Sequence, residues 1–287
     1  MDRAGCHGCK GGDALPFEFT MAFHPIVDIA NRTVWGYEAL VRGINGEGAG
    51  QILGQVTEAN RYKFDQACRV KAIELAGGLF PPDHTTKLSI NFMPNAVYEP
   101  AACIRATLEA ARRIGFEHRQ IMFEFTENER MTDIPHVRRI IEEYRKQGFA
   151  TAIDDFGAGY AGLNLRAHFQ PDFIKIDMEL IREVATSPAK QTIIACVTTM
   201  ARELGVAVIA EGIETEAELS TLRASGITLF QGYLFAKPTI ASLPPVPLLQ
   251  DLVLLSEGSR RARLPAQAFV PTRASTASAN HRKVASG

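Results

Sequence analysis

IMFEF (121–125), TDIPHVRRIIEEYRKQGF (132–149) and ATAID (150–154) follow one another as a β-rich run, a segment of helical period and a second β-rich run. In the middle segment Asp133 can cap and Pro135 fits a first turn, where its missing N–H costs nothing. Val137, Ile140, Ile141 and Tyr144 then share one face, and Gly148 supplies a stop. A strand, a crossover helix and another strand make the repeating unit of a parallel sheet, joined by a right-handed crossover.

The same alternation extends in both directions. Upstream lie MAFHPIVDI (21–29), RTVWGYEALV (32–41) and KLSIN (87–91); downstream lie DFIKID (172–177), VAVIAE (206–211) and ITLFQ (227–231). A helix carrying Ile193, Val197, Met200 and Leu204 as its apolar stripe is expected before Gly205, and another from about Glu214 to Ser225. Eight strands alternating with helices predict an α/β fold of the (β/α)8 TIM-barrel type over residues 17–248. Residues 1–16 form an N-terminal segment. After PPVPLL (244–249), residues 249–287 are expected to hold one short helix, in LQDLVLLSEG, and then a disordered tail. Beyond Glu257 that tail has no acidic residue, while Arg260, Arg261, Arg263, Arg273, Arg282 and Lys283 are basic. Little apolar surface there offsets the cost of ordering, and weak polyanion binding is the functional alternative.

Of 287 residues 46% are hydrophobic and 22% charged, with a formal net charge of −1, as in soluble globular proteins. Without a global basic field, a nucleic-acid polymer or an anionic membrane is not an expected partner, and any phosphate binding must be local. No apolar run approaches the roughly 20 residues that span a bilayer, so a cytoplasmic location is expected. Cys68, Cys103 and Cys196 fall in helical segments, where buried reduced thiols are expected. Cys6 and Cys9, with His7 between them, supply half of a zinc or iron–sulfur site or a redox pair, and no second CxxC completes one. A flexible reduced terminus is the alternative.

In such a barrel the reactive groups stand where strands end. Read in order, those ends carry Glu38, Asn91, Glu124, the pair Asp154 and Asp155, Lys175, Glu211 and Gln231. Five of the eight are carboxylates. Clustered in one cleft they repel one another, and cations are the natural neutraliser. An oxygen-rich set without His or Cys favours Mg²⁺, Mn²⁺ or Ca²⁺ over Zn²⁺. Adjacent aspartates suit a two-ion site, with one carboxylate shared. Singly, each residue has an ordinary structural use as a cap, rim ion pair or strand-end hydrogen bonder.

Taken together, HPIVDI (24–29), YEALVRG (37–43), SINFMP (89–94), FEFTE (123–127), IDDFGAGYAGL (153–163), PDFIKID (171–177), IAEGIET (209–215) and QGYLFAKP (231–238) resemble the EAL family of cyclic di-GMP phosphodiesterases. The resemblance covers about residues 17–240 and is similar to the EAL domains joined to BLUF photoreceptors. It implies a modified barrel with its first strand antiparallel, and metal-dependent hydrolysis of cyclic di-GMP to linear pGpG. It also implies two Mg²⁺ or Mn²⁺ ions held by Glu38, Asn91, Glu124, Asp154, Asp155 and Glu211, with Asp154 bridging. Lys175 would orient or activate the attacking water, Gln231 would support the water network or the substrate, and Arg42 would bind a phosphate. Glu127 would steady the DDFGAGY loop, which in that family couples the metal site to a homodimer interface. Departures are His24 for a usual glutamine, Gly43 for a tryptophan, and Ala161 and Gly162 for two serines. Two alternatives keep the fold but change the role: a cyclic di-GMP-binding regulatory module acting through a protein partner, and a scaffold working through its termini.

Overall fold

The computed structural model describes residues 14–82, 85–97, 99–126, 134–157 and 170–249. Eight strands form the barrel: β1 (Thr20–Asp28), β2 (Thr33–Arg42), β3 (Lys87–Asn91), β4 (Ile121–Thr126), β5 (Ala150–Phe156), β6 (Phe173–Ile176), β7 (Ala207–Ala210) and β8 (Leu229–Gln231). From β2 to β8 each strand pairs in parallel with the next. β1 closes the ring, running antiparallel to both β2 and β8. Its direction follows from the connection. Only residues 29–32 separate β1 from β2, with Arg32 at φ 57° and Asp28 accepting from Asn31, and so short a link makes a hairpin rather than a crossover. A two-residue strand, β9 (Thr239–Ile240), adds to the other part of β1 and was not expected from the sequence.

Among the described residues the main helices are α1 (Ala49–Leu53), α2 (Arg61–Leu79), α3 (Pro100–Cys103), α4 (Arg105–Ile114), α5 (Ile134–Lys146), α6 (Met178–Ile181), α7 (Pro188–Glu203) and α8 (Glu216–Ala224). In α5 the buried residues are Val137, Ile140, Ile141 and Tyr144, as the period requires, and Gly148 turns the chain at φ 87°. Thr215 and Glu218 form a reciprocal capping box at the start of α8. α7 departs from expectation. It buries Ile194, Val197 and Ala201, leaving Ile193 45% and Leu204 37% exposed. Its sequence offers two overlapping apolar stripes, and the one containing small Ala201 faces the barrel. For the same reason Cys196 is exposed, whereas Cys68 and Cys103 are buried as anticipated. Cys6, Cys9, the LQDLVLLSEG segment beyond Leu249 and the basic tail lie outside the described residues. Among those described, no helix is long and apolar enough to cross a membrane.

Inside the barrel Ile26, Met122, Ala152, Ile209 and Leu229 form an apolar cluster, with Trp35 and Phe173 packed against it. Side chains alternate along a strand, so the residue two positions onward faces the same way. Two positions beyond Met122, Ala152, Phe173, Ile209 and Leu229 stand Glu124, Asp154, Lys175, Glu211 and Gln231. The polar mouth is therefore the next layer of the same stack. Trp35 reaches the opposite end through a bulge: Ile26 pairs with Gly36 and Val27 with Val34, and the skipped Trp35 meets Phe173 at a ring separation of 5.1 Å.

After β8 the chain folds tightly against the turn that follows β7. Ile213 N–H donates to the Gln231 carbonyl at 3.0 Å and Leu234 N–H donates to the Ile213 carbonyl at 2.9 Å. A Cβ on Gly232 would come within 2.2 Å of the Ile213 backbone N and O. Backbone cannot yield as a side-chain tip can. Gly232→Ala is expected to destabilise the fold by roughly 3 kcal/mol or prevent folding, measured by denaturant unfolding beside wild type.

Candidate active site

Adjacent residues of a regular strand point to opposite faces, so two consecutive aspartates can serve one mouth only if the strand breaks. It does. The β5–β6 register shifts between Ile153 and Phe156, and Asp155 takes the left-handed conformation at φ 56°, which Asp tolerates better than most residues. Asp155 N–H donates to Asp154 Oδ1 at 3.0 Å. The bend turns both carboxylates toward the strand ends, and Gly157 continues it at φ 102°.

Lys175 sits at the centre, fully buried. Its Nζ lies 2.6 Å from Glu124 Oε2, 2.7 Å from Glu211 Oε1, 3.2 Å from Asp154 Oδ1 and 3.5 Å from Glu38 Oε2. Burial alone would drive the ammonium toward neutrality, yet Asp154, Glu124, Glu211 and Glu38 together hold its pKa well above the ordinary value. It is a fixed positive charge. Glu38 is further tied by Asn91 Nδ2, 2.8 Å from Oε1, and by Gln231 Nε2, 2.9 Å from Oε2. Burial pushes Glu38 up, but Lys175 and these hydrogen bonds bring it below the usual carboxylate range.

One lysine does not neutralise the set. Burial raises Glu124 to about 8, with Glu38 and Asp154 adding to the shift despite Lys175. Burial and neighbouring Asp154 lift Glu211 well above normal. Burial, Asp154 and Asp177 bring Asp155 to about 6. Two carboxylate triads, Glu38/Glu124/Asp154 and Asp154/Asp155/Glu211, each place their oxygens within 4.8 Å of one another. Asp154 belongs to both. Gln231 Oε1 is buried without a hydrogen-bond partner among the described residues. An orphaned acceptor beside carboxylates held toward their protonated forms is an environment into which hard divalent ions fit.

The structure thus brings Glu38, Asn91, Glu124, Asp154, Asp155, Lys175, Glu211 and Gln231 to one mouth. Arg42 stands at the end of β2 outside this cluster and donates from Nη1 to the Val41 carbonyl at 2.7 Å. Glu127, Ala161 and Gly162 lie outside the described residues. Sequence reading missed Ser89, whose buried hydroxyl donates to Glu124 Oε1. Its position two residues before Asn91 was the available signal. His24, opposite Glu38 in the β1–β2 pairing, donates from Nε2 to the Ala236 carbonyl (3.1 Å), and burial lowers its pKa. Beside the carboxylates opens a cavity of about 620 Å³, lined by Glu38, Asn91 and Asp154 on one side and by Leu53, Phe64 and Met93 on another.

A family model for the EAL domain matches residues 16–238. The chain is 34% identical over 225 residues to the blue light- and temperature-regulated antirepressor BluF of Escherichia coli, spanning 78% of this chain and 55% of that protein. It is 28% identical over 232 residues to the cyclic di-GMP phosphodiesterase NbdA of Pseudomonas aeruginosa, covering 77% of this chain and 29% of the relative. The chain thus spans about half or less of the length of these relatives. Among solved structures, a standalone EAL protein of Vibrio cholerae in its cyclic di-GMP-bound form superposes with TM-score 0.79 at 52% identity, over 83% of this chain and 99% of that one. BlrP1 of Klebsiella pneumoniae, in a manganese and cyclic di-GMP complex, gives 0.75 at 36% identity, over 82% of this chain and 59% of the other. With the strand-end carboxylates already in register around Lys175, the match over most of the barrel establishes that this chain belongs to the EAL-domain family.

Proposed function

We propose that the chain is a divalent-metal-dependent phosphodiesterase that hydrolyses cyclic di-GMP to linear pGpG. The observation that carries this reading is Asp154, shared by two carboxylate triads at a barrel mouth beside an open cavity. Solved neighbours of similar fold bind cyclic di-GMP, one of them with manganese. Glu38, Asn91, Glu124, Asp154, Asp155 and Glu211 would hold two Mg²⁺ or Mn²⁺ ions. Such a pair, when bound, supplies a hydroxide-like nucleophile at neutral pH and offsets charge on the phosphodiester.

The chain's own residues do the rest. Lys175, kept protonated by four carboxylates, serves as a positive anchor that orients the attacking water rather than taking its proton. Gln231 fixes Glu38 through Nε2 and offers its free Oε1 to a water hydrogen. Ser89 holds Glu124 in place from behind, as partners of metal-binding carboxylates do. Arg42 is positioned to leave the Val41 carbonyl and clamp a substrate phosphate with its planar fork. We further assign the barrel to residues 17–248, Glu127 to steadying the loop after Asp155, a homodimer as the working assembly and the cytoplasm as its location.

BluF, a relative named as an antirepressor, favours a second reading in which the nucleotide site switches a protein partner. The complete set of strand-end ligands and the lysine favours hydrolysis. Chromatographic detection of pGpG with Mg²⁺ or Mn²⁺, and its loss with a chelator, tests the first reading; tight cyclic di-GMP binding without product supports the second.

Asp154→Asn is expected to lower turnover more than about 100-fold, because it weakens both triads at once. Arg42→Ala should raise KM by roughly ten-fold with little change in kcat, a separation that steady-state kinetics resolves.

Raised carboxylate pKa values also set a pH dependence. Glu124 titrates near 8 and Asp155 near 6 when folded, both above the ordinary carboxylate range, so the metal-free fold binds protons that the unfolded chain has released. Their contribution to stability is therefore favourable at low pH and is lost as pH rises from about 4.5 toward 8. Melting in a chelator should show a lower Tm at pH 8.5 than at pH 6. Conversely, Mn²⁺ should bind more tightly as pH rises through this window, and calorimetry at pH 6 in two buffers of different ionisation enthalpy should report proton release.

A further inference from the structure

Behind the site, α2 carries a buried ion pair that the chemistry above does not use. Asp65 and Arg69, one turn apart, pair through Asp65 Oδ2 and Arg69 Nη2 with both side chains almost fully buried. Arg69 Nη1 donates to the Tyr144 hydroxyl at 2.8 Å, and the guanidinium lies 5.6 Å from the ring centres of both Phe92 and Phe123. Its Nε has no hydrogen-bond partner among the described residues. This pair is imperfectly satisfied, and apolar groups of similar volume would serve packing equally well.

What the pair does is shown by the other oxygen. Asp65 Oδ1 accepts from the backbone N–H of Met93 at 2.8 Å. The chain leaves the sheet here: Phe92 N–H makes the last ladder-like bond, to the Glu124 carbonyl at 2.9 Å, and Pro94 has no N–H to offer. Met93 is held extended at φ −103°, ψ 105° before a one-turn 3-10 helix (Pro94–Ala96). Its amide is a point between Phe92 and that turn at which α2 holds the backbone. Asn91, two residues earlier, is oriented by the bond from its Nδ2 to Glu38.

We propose that Asp65 is a positioning residue for the metal site, with Arg69 as its rigid support: by holding the Met93 amide it fixes the end of β3 and thereby the Asn91 side chain. The proposal rests on the two-ion reading above. Asp65 also lines the cavity beside Asn91 and Met93, so the same contact sets the shape of that wall.

Two double variants isolate the acceptor atom. Asp65→Asn with Arg69→Met keeps an oxygen for the Met93 amide and removes both charges; Asp65→Leu with Arg69→Met fills a similar volume with methyl groups and has no acceptor for that amide. Mn²⁺ binding to the full chain is read by the electron paramagnetic resonance of free Mn²⁺, with melting temperature recorded alongside. The asparagine pair should bind Mn²⁺ within about three-fold of wild type, and the leucine pair about ten-fold or more weakly. Equal affinities in the two pairs overturn the proposal while leaving the two-ion reading intact. A wild type that binds no Mn²⁺ overturns both. Should the leucine pair fail to fold, amide exchange in metal-free wild type decides: protection at Met93 comparable with that at Phe92 supports the role, and exchange at the rate of an open amide removes it.

Discussion

Charge imbalance at one end of a barrel governs this molecule. Five carboxylates face a single buried ammonium, and the Coulomb energy of like charges in a low-dielectric mouth is too large to leave uncompensated. Lys175 satisfies four of those groups at once, and in doing so it is held protonated. Hydrogen bonds from Asn91, Gln231 and Ser89 then fix Glu38 and Glu124, so most of the rim consists of residues that restrain one another. The charge left over is what a bound cation would offset in the proposed function.

The barrel makes this arrangement affordable by stacking layers. Met122, Ala152, Phe173, Ile209 and Leu229 fill the interior below, each two residues ahead of a polar group on its own strand. Burial in that layer holds the strands in register, and strand register in turn sets the spacing of the carboxylates. Asn91 and Glu124 are direct neighbours in the β3–β4 pairing, as are Thr126 and Asp154 in the next. Only the aspartate pair needs something more, and the left-handed Asp155 supplies it.

Much of this was legible in the sequence because the strands end on polar residues after apolar runs. All eight barrel strands, the buried face of α5 and the eight residues of the mouth could be read from alternation and period. The antiparallel β1 came from family resemblance, although the short DIANRT link already forces a hairpin. What escaped had physical causes. α7 offers two apolar stripes at nearly the same angle, and no local signal tells which one meets the barrel, so Ile193, Leu204 and Cys196 were placed inside when they lie outside. Ser89 and Asp65 act through contacts with residues 35 and 28 positions away in the chain, which periodicity does not encode.

Trp35 and Phe173 meet at the end of the barrel opposite the carboxylates, brought there by a one-residue bulge in β2. They give the barrel a floor. The carboxylates and the cavity beside them lie at the other end, so in the proposed function substrate and product would share that mouth. Under the proposed hydrolysis, which would consume water and turn a cyclic molecule into an open, more highly charged one, arrival and departure would compete for the same opening. On that reading the outgoing product would have to clear the rim before the next substrate settles, which would make traffic through the mouth a natural place for throughput to be governed.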